Sequence, residues 1–178
     1  TAFNPGNDFS AFAWVNPTEL DANDEAIFGG PGSRKQLDFN DEVELRYYDD
    51  DLSPSSCTYS VNEADYEGTW SHIGVTRVGT TTTLFVNAVA VQTCTQTGTS
   101  DNIIEYIGYT GSGSQYFNGL IRDARVYNYT LSTEMVGSLF GGTYLPIGQY
   151  QWALGGNSLD NGEIFATTTG NPMNGVDY

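Results

Sequence analysis

Apolar residues in this chain recur mainly at every second position, in short runs separated by turn residues, and only once at helical spacing. Residues 9–16 (FSAFAWVN) read as a strand stopped by Pro17. In the run that opens at Trp70, Ile73 and Val75 alternate with His72, Gly74 and Thr76, the pattern of a half-buried strand. Strands over 83–87 and 88–94 follow, with a turn near Asn87-Ala88. Shorter strands are expected at 26–28, 36–40, 42–48, 57–61 and 103–109, with a hairpin turn at Asn40-Asp41. Asp49-Asp50-Asp51 is a charge run that cannot sit inside a strand. Antiparallel strands joined by turns predict an all-β, two-sheet sandwich rather than a parallel α/β sheet.

The most informative stretch is 116–139, YFNGLIRDARVYNYTLSTEMVGSL. Asn118-Gly119 is turn chemistry. Alternation from there puts Leu120, Ala124 and Val126 toward a core and Asp123, Arg125 and Tyr127 on the other side. Ser132 can then cap one short helix near 132–140, with Met135, Leu139 and Phe140 as its apolar positions.

These segments resemble a known family, the laminin-G-like members of the concanavalin A-like lectin/glucanase superfamily. Its modules carry a strand of the type FTVSAWV.P, here residues 9–17. They continue with W.HIAVTRDG..L.LYVNG, here 70–88, and close with FNGLIDDVRIYNRALS..EI..L, here 117–139. The resemblance implies a jelly-roll fold. It leaves function open, because that fold hosts lectins, enzymes, adhesins and structural modules. Two departures stand out. Ala88 replaces the usual turn glycine, implying another turn type or some strain, and Arg122 replaces the first acid of the family's pair, leaving Asp123 as the match.

The order of segments also departs. Family modules open with a strand and loop ahead of the FTVSAWV strand, where this chain has eight residues. Residues 150–178 (YQWALGGNSLDNGE…) are similar to that opening. The expected organisation is therefore a sandwich over 1–142 lacking its first strand, and a 143–178 extension that supplies it. The extension can complete its own sandwich, complete a neighbour's by strand addition with Tyr150, Trp152 and Leu154 as anchors, or begin a second module. The absence of an initial Met is expected of a processed chain.

Composition narrows the function classes. Gly (21) and Tyr (12) are abundant, and 22 acids stand against six bases, for a net charge of −16. Such a chain is not expected to bind nucleic acid or to be drawn to anionic membranes. No run is apolar enough to insert in a bilayer, and no signal-peptide pattern opens the chain. Cys57 and Cys94 lie in β-patterned surroundings without a CxxC pair or a nearby histidine. A single disulfide is expected, worth roughly 3–4 kcal/mol by loop entropy, two free thiols being the alternative. The disulfide implies an extracellular, cell-surface or virion-surface location.

Candidate chemistry is sparse. Glu63-Ala64-Asp65-Tyr66-Glu67 loosely matches the E-x-D-x-E signature of laminarinase-type glycosidases, where a strand would align three carboxylates. It falls where the resembling modules have a loop, and the similar run at 19–24 lacks the right third carboxylate, so no enzyme is expected. The lone histidine, His72, is expected to be packed rather than ligating. The resemblance further implies a structural Ca2+ held by Asp123, Asp160 and Asn161, with Asp177 able to contribute. A salt bridge from Asp123 to Arg125 is the competing arrangement. Exposed aromatics beside polar groups make Tyr47, Tyr48, Asp50, Tyr109 and Tyr116 candidates for contacting glycans. The favoured expectation is a non-catalytic structural or adhesion module, a subunit of a surface or viral fibre that assembles with copies of itself through its C-terminal strand. The alternative is a monomeric, calcium-dependent carbohydrate-binding lectin module.

Overall fold

The computed structural model describes residues 4–21, 25–33, 35–41, 43–100, 103–111, 113, 116–142 and 150–151. Its strands are β1 (Phe9–Pro17), β2 (Glu25–Gly29), β3 (Lys35–Asn40), β4 (Glu44–Asp49), β5 (Ser56–Ser60), β6 (Ser71–Val78), β7 (Thr81–Val86), β8 (Val89–Thr95), β9 (Tyr106–Ile107), β10 (Gly119–Tyr127) and β11 (Tyr150–Gln151). They form the expected antiparallel sandwich. One sheet runs β11-β10-β1-β6-β7-β8 and the other β5-β4-β3-β2-β9. The single α-helix of the described residues, α1, spans Thr133–Phe140.

Alternation builds the main core. Phe9, Ala11, Ala13 and Val15 of β1 face inward with Ile73, Val75 and Leu84, and meet Leu37, Phe39, Leu45 and Tyr47 of the other sheet. A second core lies on the outer face of the larger sheet. There Phe12, Phe85 and Tyr127 are covered by Leu131, Val136 and Leu139. This double burial explains why residues 9–16 are apolar at nearly every position. Gly74 makes room for it, since a Cβ there would lie 1.9 Å from the Phe12 ring. Ser132 caps α1 as expected, its Oγ accepting the Met135 N–H at 3.3 Å. The buried helix positions are Val136 and Leu139, whereas Met135 is half-buried and Phe140 reaches out to stack on Trp14 at 5.4 Å.

β10 departs from simple alternation. Phe12 pairs with Arg125 but Trp14 pairs with Arg122, so one extra residue is accommodated opposite Ala13. Asp123 takes up the bulge with φ 56°. A bulge reverses which face each residue presents. Ala124 and Val126 are therefore buried as expected, while Ile121 takes the inward place assigned to Leu120, which is 61% exposed.

Cys57 and Cys94 form the expected disulfide, Cα atoms 5.7 Å apart. It joins β5, an edge of one sheet, to β8, an edge of the other. Tyr150 and Gln151 pair with Tyr127 and Val126 of β10 in their own chain. Trp152 and Leu154 lie outside the described residues.

Candidate functional site

The outer face of the five-stranded sheet carries four exposed or half-buried tyrosines, Tyr48, Tyr106, Tyr109 and Tyr116. The register sets Tyr48 opposite Gln36, Gln36 opposite Gly29, and Gly29 opposite Tyr106. Tyr48 and Tyr106 thus share one row across four strands, roughly 14 Å apart by the usual strand spacing. Gly29 leaves its outer side free for the chain that follows β9, because a Cβ there would meet the Tyr109 carbonyl oxygen at 2.0 Å. That segment folds back over the sheet. Tyr109 bridges Tyr116, and the Phe117 N–H donates to the Gly108 carbonyl at 3.0 Å.

Three rings meet on this fold-back. Tyr109 stacks on Tyr116 with centroids 4.6 Å apart, and Tyr106 meets Tyr109 edge-on at 5.2 Å. Tyr116 is 61% and Tyr106 38% exposed. At the far side of the same face, Arg46 grips Asp38 by two bonds, Nε to Oδ1 at 3.1 Å and Nη2 to Oδ2 at 2.6 Å. The same guanidinium lies 5.5 Å from the centre of the Tyr48 ring. This arrangement offers apolar ring faces, phenolic hydroxyls and a fixed ion pair, the mixture that holds a polar ring-shaped ligand.

The residues named as candidate glycan contacts do not all lie on one face. Tyr109, Tyr116 and Tyr48 belong to this face. Tyr47 does not: it follows Leu45 inward, is buried against Phe9, and donates its hydroxyl to Asp49 Oδ2 at 3.1 Å. Burial and the Asp49 carboxylate push its phenol well above the ordinary tyrosine range. Asp50 is exposed in the turn after β4. Asp49, Asp50 and Asp51 bring carboxylate oxygens within 4.8 Å of one another. Asp49, though, ends β4 fully buried, accepting also from the Ser100 hydroxyl and the Asp51 N–H. Tyr106 was not anticipated. Three positions from Tyr109, it would point the opposite way in a continuous strand, but β9 stops at Ile107 and Gly108, at φ 75°, turns the chain.

The other candidates fall elsewhere. Glu63–Asp65 is a 3-10 turn, so those carboxylates do not line a strand, and Glu67 Oε1 accepts the Leu20 N–H at 2.8 Å. His72 is buried and packed as expected, stacked on Phe12 at 5.3 Å, and burial lowers its pKa to about 4. Of the four residues assigned to calcium, Asp160, Asn161 and Asp177 lie outside the described residues. Asp123 Oδ1 accepts from Arg125, at 2.7 Å from Nη2 and 3.1 Å from Nε.

A sequence model of the concanavalin A-like lectin/glucanase superfamily, of the third laminin-G type, matches residues 1–137. The chain belongs to that superfamily. No protein of curated function matches it in sequence. Among solved structures, it is similar to a putative carbohydrate-binding protein from Bacteroides ovatus, with 18% identity and TM-score 0.62 over 85% of this chain and 46% of that one. It is also similar to domain 4 of AbnA, an extracellular arabinanase from Geobacillus stearothermophilus solved with arabinotriose, with 21% identity and TM-score 0.55 over 75% of this chain and 66% of that one. A third likeness is to botulinum neurotoxin type C, whose cell entry depends on two ganglioside molecules, with 14% identity and TM-score 0.56 over 79% of this chain and 36% of that one. The chain thus spans less than two thirds of each of these relatives, and at such identities the likeness speaks for the fold.

Proposed function

We propose that this superfamily member is a non-catalytic carbohydrate-binding module of an extracellular protein, with Tyr106, Tyr109 and Tyr116 as its platform and Tyr48 and Arg46 at the far side of the same face. The carrying observation is the three-ring cluster by the fold-back over Gly29, with Tyr106 and Tyr116 exposed and Tyr109 half-buried. Solvent-facing aromatic rings offer the C–H faces of a sugar an apolar surface, and the neighbouring polar groups bond its hydroxyls. Relatives that carry carbohydrate in their descriptions support the reading. So does the disulfide, which belongs to oxidising surroundings.

This reading takes the C-terminal strand to complete its own sandwich. The pairing of Tyr150–Gln151 with β10 of the same chain supports that choice over donation to a neighbour in a fibre. Adhesion remains compatible with it, as glycan attachment.

The test is a glycan array followed by calorimetry on the best neutral ligand. Tyr109→Ala and Tyr116→Ala are each expected to weaken binding about ten-fold or more, the scale of a lost aromatic anchor. Unchanged affinity in both variants overturns the platform. A parallel titration with EDTA decides calcium, and a mass measurement in solution is expected to return a monomer.

A further inference from the structure

The opposite face of the sandwich carries a second aromatic group that the tyrosine platform does not use. Arg122, Trp14 and His72 stand side by side on β10, β1 and β6, and Trp70 lies just before β6. The Arg122 guanidinium sits 4.3 Å from the centre of the Trp70 ring and 5.4 Å from that of Trp14. Phe140 stacks on the Trp14 ring at 5.4 Å. Phe140 is 37% and the neighbouring Leu120 61% exposed. Beneath, His72 is 2% exposed and its Nδ1 has no hydrogen-bond partner.

Arg122 is unusual in this chain. With 22 acids against six bases, cations should find carboxylates easily. Arg46 pairs with Asp38 and Arg125 with Asp123, while Arg77 is wholly buried and hydrogen-bonded to Thr82, Gln96 and Gly98. Among the described residues, the exposed Arg122 guanidinium makes no ion pair and no hydrogen bond, and lies near the two indole rings. A guanidinium that rests against aromatic rings still has its N–H groups available for a planar carboxylate.

We infer that Trp14, Arg122 and Trp70 form a second binding site, for a glycan that is otherwise neutral but carries one carboxylated sugar. Arg122 bonds the carboxylate through two N–H groups, and the indole edges, Leu120 and Phe140 border the sugar ring. A single unpaired guanidinium matches a single negative charge. The net charge of −16 repels polyanions such as polyuronates, sulfated chains or nucleic acid. The adjacent Asp123 carboxylate does not compete for Arg122, because Arg125 holds it. The site lies on the other sheet from the tyrosines and does not rest on the platform reading.

The experiment compares one neutral oligosaccharide with its sialyl-terminated and uronyl-terminated forms and with their methyl esters, by calorimetry and by the indole N–H signals of the full chain. At least one acid form is expected to bind about ten-fold or more tighter than its ester, the scale of a charge-assisted hydrogen-bonded pair. It should also shift the Trp14 and Trp70 signals, and the two acid forms decide which carboxylated sugar is preferred. Arg122→Gln should abolish the preference, and Arg122→Lys, which keeps the charge but not the fork, should lose most of it. Tyr109→Ala should leave the preference intact. An equal affinity for acid and ester, a preference that survives Arg122→Gln, or occupation of the two indoles by the chain's own residues 152–178 overturns the site. Should Arg122→Gln not fold, the lysine variant and the wild-type indole shifts decide.

Discussion

At the scale of single residues, two buried groups give the protein a pH dependence that is partly hidden. Glu25 is 2% exposed, and its Oε2 accepts the Asn118 N–H at 3.0 Å. Burial, with Asp21 and Glu19 adding their charge, raises its pKa from 4.5 to about 7. The fold therefore favours the protonated acid. Its contribution is complete below pH 4.5 and is lost as pH rises toward 7. His72 works the other way. Its pKa falls from 6.5 to about 4, so the fold favours the neutral ring, and stability is lost as pH drops from 6.5 to 4. The two slopes oppose each other across most of the same range. Glu25→Gln, which keeps an acceptor for Asn118, should unmask the histidine. Its stability should climb between pH 4 and 6.5 and exceed that of the wild type at pH 7.5 by about 2 kcal/mol, the two proteins matching below pH 4. Urea unfolding at stepped pH measures this. Equal stabilities at pH 7.5 would mean that the Glu25 carboxyl is solvated.

At the scale of elements, the hairpin joining β7 and β8 is built on a residue poorly suited to it. Asn87 and Ala88 have φ of 49° and 66°, the left-handed pair of a type I′ turn, where glycine normally follows asparagine. The asparagine helps by tying the turn to β6, its Oδ1 accepting the His72 N–H at 2.8 Å. Alanine in that conformation is strained by roughly 1–2 kcal/mol. Its methyl recovers part of this by packing against the core on the outer face of the larger sheet. Ala88→Gly should raise the urea midpoint by the equivalent of about 1 kcal/mol without changing the slope. The strain was legible beforehand, because the turn and its departure from glycine are local. So were the strands, the Ser132 cap and the disulfide, each written in neighbouring residues or in simple alternation. The bulge at Asp123 was not, since one inserted residue reverses every face beyond it and shows only against the register of β1. The tyrosine cluster was legible in part. Tyr109 and Tyr116 follow from exposure and turn context. Tyr106 joins them only because Gly108 breaks the strand. Tyr47 could have been excluded, because it sits two positions after Leu45 and so shares the core face.

At the scale of the whole molecule, the sandwich is fastened unequally. The Cys57–Cys94 bridge ties β5 to β8, so one pair of sheet edges is covalently closed. The opposite edges are β9, whose two residues are followed by the tyrosine fold-back, and β11 beside β10. In the five-stranded sheet the proposed tyrosine platform and the covalent bond thereby lie at opposite ends. In the five-stranded sheet three strands, β2, β3 and β4, separate the disulfide strand from β9. Replacing both cysteines by serine should remove about 3–4 kcal/mol of stability, mostly by freeing the 37-residue separation in the unfolded chain. Yet it should leave the platform intact, because Gly29, Gly108 and the Tyr109–Tyr116 stack depend on β2 and β9 alone. The double variant is therefore expected to melt earlier in urea while binding the neutral glycan with unchanged affinity wherever it remains folded. Weakened binding by a folded double variant would show that strain at the β5–β8 edge reaches across the sheet, and that the two ends are coupled through the core rather than separate.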